Sequence, residues 1–267
     1  MLRSTDRKTY AYDSQGNLTY RSDNFNGVFE YACYDVLNRL QYDATGNAVT
    51  SCTSSGYKTV AYDALGSIVS KTGVGTYHYP SPGAALPHAV ASVTGTVNGA
   101  VNPHYGYDAN GNMVCEFVGT SCGGSGVVRE SATWTAFNMA AQITQGTSSV
   151  NLTYDSEHAR ILQHRQFAST VEDTAYLNDP ATGAMEEHVV LAGTTTWRDY
   201  VQADGRVVAE KFSGATAAMR YMVSDHLGSV AVLTDQTGTV VERDAYDAWG
   251  KRRKLDGDGI RLVQLPN

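Results

Sequence analysis

The sequence predicts an all-β fold of antiparallel β-hairpins, and three observations support that prediction. Charged residues make up 18% of the 267 residues, whereas Tyr (17) and Gly (26) are abundant. That composition is typical of short strands joined by tight turns. A short turn motif recurs along the chain. Between its copies, as in Lys58–Tyr62, apolar and polar residues alternate with the period of two expected of a strand with two unlike faces.

The clearest copies of the turn motif lie together in residues 224–251. An Asp is followed three residues later by a Gly at Asp225 and Gly228, at Asp235 and Gly238, and at Asp247 and Gly250. Asp favours the first corner of a turn because its carboxylate accepts hydrogen bonds from the amides just ahead. Gly reaches the left-handed conformation that returns the chain to strand pairing. The stretch therefore predicts three turns separated by two strands.

Four full copies of the pattern Tyr-Asp-x-x-Gly precede that stretch, and three degenerate copies lie at 34–39, 137–140 and 154–160. Such repetition predicts a stacked architecture, in which each unit buries its apolar face against its neighbours. The Tyr ring would then lie over the next hairpin while its hydroxyl stays hydrated or bonded. The full copies are Tyr12, Asp13 and Gly16; Tyr42, Asp43 and Gly46; Tyr62, Asp63 and Gly66; and Tyr107, Asp108 and Gly111.

Two parts of the chain are expected. Residues 1–223 form one repeat array, interrupted by loop excursions near 76–103 and 118–126, where Pro, Gly and Ser are concentrated. Residues 224–267 continue the same sheet. Because the repeats begin near the start of the sequence, we expect the chain to be a section of a longer array.

The residues of the last stretch also resemble a known family. Asp225 to Ser229 reads D-H-L-G-S, Thr234 to Gly238 reads T-D-x-x-G, and Tyr246 to Gly250 reads Y-D-x-x-G. This succession resembles the core segment of RHS and YD-repeat proteins. The resemblance implies YD/RHS β-hairpin repeats that form a spiralling sheet, part of a β-cocoon shell, similar to the shells of toxin-complex C subunits and teneurins.

The same resemblance implies a function. The chain would be a non-enzymatic section of a shell that encapsulates a C-terminal toxin or effector in a longer, exported protein. Its partners would be the remaining RHS repeats, the effector domain and a secretion-system or toxin-complex delivery protein. The parent would be secreted or held at the cell surface, and no signal peptide is expected within this chain. The alternative is a cell-surface adhesion or carbohydrate-binding module, for which Trp134, Trp197 and Trp249 are candidate exposed aromatics.

Catalytic motifs are weak. Gly119 to Gly123 matches the G-x-S-x-G nucleophile elbow around Ser121, but the elbow requires a helix directly after the second Gly, and a glycine-rich loop follows instead. Members of the resembled family often carry a self-cleaving D-P-x-G-L site, whereas Asp179-Pro180 lacks the residues that complete it. We therefore expect no enzymatic activity and no self-cleavage.

No cofactor or metal is expected either. The seven His residues show no metal-binding spacing, and we interpret His226 as a turn residue. Residues 256–259 resemble an incomplete calcium loop. A net charge of -7 argues against nucleic acid, and no apolar window is long enough to span a membrane. Cys115 and Cys122 could pair across a loop in an exported protein or remain thiols; the sequence leaves both open.

Overall fold

The computed structural model describes residues 8–24, 28–46, 58–122, 127–179, 184–214 and 217–253. Within these residues the chain forms 24 β-strands and no helix, and all the strand pairs are antiparallel. The prediction of an all-β fold of antiparallel hairpins is confirmed.

Most strands are four to ten residues long, and tight turns connect many of them. The strands are β1 (Lys8–Tyr12), β2 (Leu18–Asp23), β3 (Val28–Tyr34), β4 (Leu40–Thr45), β5 (Lys58–Tyr62), β6 (Ile68–Lys71), β7 (Gly75–His78), β8 (Ser92–Val97), β9 (Ala100–Val101), β10 (His104–Tyr107), β11 (Met113–Val118), β12 (Val127–Trp134), β13 (Ala140–Gln145), β14 (Ser148–Tyr154), β15 (Arg160–Phe167), β16 (Thr170–Asn178), β17 (Met185–Leu191), β18 (Thr194–Ala203), β19 (Arg206–Gly214), β20 (Ala218–Ser224), β21 (Val230–Asp235), β22 (Val240–Arg243), β23 (Ala245–Tyr246) and β24 (Arg252–Arg253).

The strands fall into two compact units. The first comprises residues 1–61, 204–209 and 219–267, and the second comprises residues 62–203 and 210–218. The C-terminal stretch, from residue 219 onward, groups with residues 1–61 and 204–209 in the first unit. The predicted boundary at residue 224 stays a prediction.

In the first unit, β1 to β4 form an antiparallel meander that continues into β5. A second meander, β20 to β22, is followed by the short ribbon of β23 and β24. The buried apolar side chains are mostly small, such as Val28, Cys33 and Ala44 in the first meander and Ala231 and Val232 in the second. Because side chains alternate between the faces of a strand, the consecutive buried residues Ala231 and Val232 show that β21 is covered on both faces.

In the second unit, β6, β7 and β8 pair in succession, and β8 pairs with both β9 and β10. From β10 to β18 each strand pairs with the next. Val93 and Pro103 have the largest fully buried side chains, and the Val93 amide donates to the Pro103 carbonyl at 2.9 Å. Gly95 faces Gly75, and a Cβ added to Gly95 would lie 2.0 Å from the Val74 carbonyl oxygen, so this approach requires glycine.

One of the predicted loop excursions is too long. The stretch near 76–103 contains the end of β7 and all of β8 and β9, so residues 79–91 are the part without a strand. Glycines such as Gly95 and Gly99 favour a loop in the sequence. In the structure, Gly95 lies in β8, where the close approach of the β7 backbone leaves no room for a side chain. In the excursion near 118–126, residues 119–122 have no strand, and residues 123–126 lie outside the described part of the chain.

Candidate functional site

The recurring turn is the feature that most distinguishes this chain, and Asp108 to Asn112 shows its geometry. The Asp108 amide donates to the Asn112 carbonyl at 3.0 Å, and the Gly111 amide donates to the Asp108 carbonyl at 3.1 Å. The Asp108 Oδ1 accepts from the Asn110 and Asn112 amides, each at 2.9 Å. One carboxylate oxygen thereby satisfies two backbone donors that the strand ladder leaves unpaired.

The described residues contain nine turns with these backbone hydrogen bonds, and in eight of them an Asp begins the turn. The residue at the fourth position has a positive φ in all nine turns, which favours glycine. Asparagine or histidine stands at this position in three of the turns. The ninth turn begins at Thr135, whose Oγ1 accepts from the Met139 amide at 3.1 Å. The nine first and fourth residues are Asp13 and Gly16, Asp35 and Asn38, Asp63 and Gly66, Asp108 and Gly111, Thr135 and Asn138, Asp155 and His158, Asp225 and Gly228, Asp235 and Gly238, and Asp247 and Gly250.

One full copy of the sequence motif does not form this turn. Tyr42 and Asp43 lie inside β4, where Asp43 is buried and pairs with Ala32 and Lys58. The Gly46 amide donates to the Phe29 carbonyl at 2.9 Å, so it continues the strand pairing. The predicted turn at Tyr42, Asp43 and Gly46 is therefore wrong, because pairing with β3 and β5 prevails over the local turn preference.

Four of the turn carboxylates have a lowered pKa. Hydrogen bonds to the ionised form lower the pKa of these four below the ordinary value of 3.8. The Asn17 side chain is the main cause for Asp13 and the Asn112 side chain for Asp108. For Asp35 the main cause is the Arg39 amide, and for Asp235 it is the Thr237 side chain. A low pKa suits an acceptor of hydrogen bonds and not a general acid at neutral pH.

In three places the aromatic residue just before a turn donates a side-chain hydrogen bond to a backbone carbonyl of an earlier strand. That strand begins directly after the preceding turn. Tyr34 Oη donates to the Leu18 carbonyl at 3.0 Å. Trp134 Nε1 donates to the Met113 carbonyl at 2.9 Å, and Tyr154 Oη donates to the Ala140 carbonyl at 2.9 Å. In each case the acceptor is the first residue after a turn. Two further tyrosine hydroxyls, those of Tyr79 and Tyr107, also donate to backbone carbonyls, of Ile68 at 2.8 Å and Val90 at 2.9 Å.

Three of these tyrosine hydroxyls have a raised pKa and stay protonated at neutral pH. Burial raises the pKa of Tyr34, Tyr79 and Tyr107 above 10.0. Burial, together with the nearby Glu116 carboxylate, raises the pKa of Tyr105 to about 12. The recurring aromatic residues therefore hold neighbouring hairpins together and do not supply a phenolate for chemistry.

Asparagine side chains make a second set of links between neighbouring turns. Asn17 Nδ2 donates to Asn38 Oδ1 at 2.9 Å, and Asn112 Nδ2 donates to Asn138 Oδ1 at 3.0 Å. The same two donors, Asn17 and Asn112, also bond the carboxylate of their own turn. Each link thereby joins the carboxylate of one turn to the positive-φ residue of the next.

The turn at His226 packs against other parts of the first unit. The His226 ring lies 4.2 Å from the Tyr10 ring and 6.4 Å from the Tyr12 ring, measured between centroids. Arg21 Nη2 donates to the Tyr246 carbonyl at 2.5 Å, and Arg21 also pairs with Glu30. Tyr12 itself is 51% exposed, and its ring meets the His226 ring edge-on.

The three tryptophans have different environments. Trp134 belongs to the aromatic donors described above. Trp197 is 37% exposed, with its ring 4.2 Å from the His188 ring, and Trp249 is 42% exposed at the third position of a turn. Because the Trp134 indole is hydrogen-bonded to a backbone carbonyl, the three tryptophans do not form one set of exposed aromatic side chains.

The remaining polar clusters are ion pairs between strands. Arg198 pairs with Glu187 at 3.0 Å and lies 4.0 Å from Glu210, with its guanidinium 5.2 Å from the Phe212 ring centroid. No group of His, Cys, Asp and Glu in the described residues has the arrangement of a metal site. Within the same residues, no helix is long and apolar enough to span a membrane.

Of the weak catalytic candidates, Ser121 and Asp179 lie in the described part of the chain. Ser121 precedes Cys122, which is joined to Cys115 in a disulfide, so the open question about this pair resolves in favour of the bond. Cys33 is disulfide-bonded as well. Asp179 follows β16 directly and its amide donates to the Ala184 carbonyl at 2.9 Å, while Pro180 and residues 256–259 lie outside the described part of the chain.

The sequence predicted only degenerate copies of the motif at 34–39, 137–140 and 154–160. The turns at Asp35, Thr135 and Asp155 have the same backbone hydrogen bonds as the others. The signal was available, because Trp134 and Tyr154 are aromatic and Asn138 is the residue, after glycine, that best tolerates positive φ. A pattern of aromatic, then Asp or Thr, then Gly, Asn or His three residues later would have found them.

Comparisons with known proteins give a distant likeness. No family model matches the chain, and no curated protein matches it. Crystal structures of TcdB2-TccC3 with Cdc42, and of TcdB2-TccC3 without the hypervariable C-terminal region, resemble it with a TM-score of 0.40 and 13% sequence identity. They cover 91% and 93% of this chain, whereas the chain spans 16% of the length of theirs. At this distance the comparisons establish no family, and the antiparallel hairpin architecture itself is what agrees with an RHS-type repeat.

Proposed function

We propose that this chain is a structural, non-enzymatic section of a shell built from RHS-type β-hairpin repeats. The observation that carries the proposal is one turn geometry that recurs nine times, and in eight of these turns the Asp carboxylate accepts hydrogen bonds from backbone amides. The aromatic donors and the asparagine links join successive turns, so the recurring residues serve the stack of hairpins.

The wider role follows from the sequence resemblance. The parent protein would be exported and would enclose a C-terminal toxin or effector within the shell that this chain helps to build. Its other repeats would pair with this section, and a secretion-system or toxin-complex delivery protein would bind the assembled shell. The disulfide between Cys115 and Cys122 supports export, because such bonds persist in oxidising compartments.

The experiment is limited proteolysis of the full natural protein that carries this sequence, followed by mass spectrometry of the fragments. Enclosure predicts that the segment C-terminal to the repeats stays protected in the native protein and is digested once denaturant opens the hairpins. Rapid digestion of that segment while the repeats remain intact would contradict enclosure.

The absence of catalysis has its own test. Purified chain kept at neutral pH for several days should retain its intact mass and should not hydrolyse ester substrates. Ester hydrolysis that is lost in Ser121→Ala, or an internal cleavage that is lost on replacing one Asp by Asn, would overturn the non-enzymatic role.

A further inference from the structure

A partly open cavity with a volume of about 440 Å³ lies in the first unit, between the meander of β1 to β4 and the turns at Asp225 and Asp247. The volume falls within the range of small-molecule sites in proteins, roughly 300–1,000 Å³. Its lining comes from two stretches that are far apart in the sequence, residues 12–43 and 225–250. The cavity therefore forms only where the C-terminal stretch packs against the first strands.

Aromatic side chains form much of the cavity wall. Tyr12, Tyr34, Tyr246 and His226 line it. The His226 ring is held by its contacts with the Tyr10 ring at 4.2 Å and the Tyr12 ring at 6.4 Å, measured between centroids. The face of a tyrosine ring attracts a cation that lies within about 6 Å of its centroid.

Carboxylates outnumber cations in the lining. The charged side chains that line the cavity are Arg21, Glu30, Asp43, Asp225 and Asp247. Arg21 pairs with Glu30, so these two charges offset each other. Asp43 lies opposite Lys58 in the pairing of β4 with β5. The carboxylates of Asp225 and Asp247 remain, and they leave the cavity with an excess of negative charge.

These two carboxylates keep one oxygen in reserve. In both Asp225 and Asp247, Oδ1 accepts two backbone amides of its own turn. Oδ2 of each makes no hydrogen bond with the described residues. The charge of Asp225 reaches the aromatic wall, because burial and next the Asp225 carboxylate raise the pKa of Tyr10 above 10.0.

We propose that this cavity binds a quaternary ammonium cation of the choline type. Such a cation carries its charge on methyl groups, donates no N–H, and packs against the faces of aromatic rings. The carboxylates of Asp225 and Asp247 attract the same charge without having to give up their bonds to the turn amides. An anion would meet the excess of carboxylates, and a neutral molecule would gain nothing from it. This binding activity goes beyond the structural role and does not depend on it.

The test is titration of the full chain, with tyrosine side chains isotopically labelled, against choline chloride in NMR experiments at constant ionic strength. Choline should shift the Tyr12 and Tyr246 signals in a saturable manner. Its neutral carbon analogue, in which a tert-butyl group replaces trimethylammonium, should bind at least about tenfold more weakly, because it keeps the shape and loses the charge. Co-sedimentation with phosphatidylcholine vesicles that free choline prevents would assign the cation to a lipid headgroup. Choline binding without co-sedimentation would assign it to a soluble molecule.

Two pairs of variants locate the binding. Asp247→Asn removes one charge from the cavity and should weaken choline binding about threefold or more. Its control is Asp235→Asn, in a turn of the same geometry in the same unit that does not line the cavity. Tyr12→Leu removes a ring that is 51% exposed and should weaken binding to a similar extent. Its control is Tyr221→Leu, because Tyr221 is 44% exposed in the same unit and lies outside the cavity lining.

Both control variants should bind choline as the unchanged chain does. Thermal melting of each variant separates loss of binding from loss of fold. Absence of any saturable shift with choline would overturn the proposal. Equal affinity for choline and its neutral analogue, or undiminished binding by both Asp247→Asn and Tyr12→Leu, would show that the cavity is not a cation site.

Discussion

Two stretches of the chain with almost the same sequence adopt different structures. Residues 107–112 read Y-D-A-N-G-N and form a tight turn, whereas residues 42–47 begin Y-D-A-T-G, and their first four residues are the end of strand β4. In the turn, Ala109 is exposed; in the strand, Ala44 is 3% exposed. The motif therefore permits the turn without dictating it.

The distance to the preceding turn explains the difference. A turn at Asp43 would follow the turn at Asp35 after only three intervening strand residues, and β3, which has seven residues, would lose most of its partners. Buried backbone groups must find hydrogen bonds, so the pairing of β3 with five residues of β4 outweighs one local turn. The lesson is that spacing decides which copy turns.

The largest expected effect on the free energy of unfolding comes from placing a glutamate at the equivalent alanine of each stretch. Ala44→Glu would bury an unpaired carboxylate and should lower the free energy of unfolding by roughly 3–5 kcal/mol. Ala109→Glu occupies the equivalent position in the exposed turn and should change it by less than about 0.5 kcal/mol. Urea denaturation of both variants measures the contrast. Equal destabilisation would show that residues 42–45 are not a buried strand.

The sequence predicted the class of fold and most of the turns for physical reasons that are local. Asp and Gly three residues apart suffice at Asp225, Asp235 and Asp247, because the hydrogen bonds of those turns involve only five consecutive residues. The failure at Asp43 and the strand β8 inside a predicted loop depend on pairing with distant residues. The links from Trp134 to Met113 and between asparagines likewise depend on which hairpins become neighbours.

The next largest effect on the free energy of unfolding is expected at Gly111, in the stretch that forms the turn. Gly111 has a φ of +87°, and Gly111→Val places a β-branched residue in the left-handed region. We expect a loss of roughly 1–3 kcal/mol in the free energy of unfolding. Ala109→Ser, at a neighbouring exposed position of the same turn, is the control and should be neutral within about 0.5 kcal/mol. Similar urea midpoints for the two variants would contradict the turn geometry.

A smaller effect on stability is expected at Tyr107, the first residue of the stretch that forms the turn. Tyr107→Phe removes one hydrogen bond, from the hydroxyl to the Val90 carbonyl, and should cost about 1 kcal/mol because the acceptor is left without its partner. Tyr221→Phe removes an exposed hydroxyl and serves as the control, with little change expected. The comparison needs only thermal melting at neutral pH, and equal midpoints for both variants would mean that the Tyr107 hydroxyl does not stabilise the fold.

The smallest effect concerns the charge of the turn carboxylate. Hydrogen bonds, first from the Asn112 side chain and then from backbone amides, hold the pKa of Asp108 below its ordinary value of 3.8. Folding thus favours the ionised form, and the stability that it contributes is fully present above pH 3.8 and is lost as the pH falls through the lower folded value. Asp108→Asn keeps an acceptor oxygen but cannot ionise, so the wild-type protein should melt at the higher temperature near neutral pH. That difference should shrink as the pH falls below 3.8, because a protonated Asp108 and an asparagine are nearly equivalent acceptors. Melting temperatures of both proteins across the acidic range decide the matter, and a difference that stays constant down to the lowest pH would show that ionisation of Asp108 does not stabilise the turn.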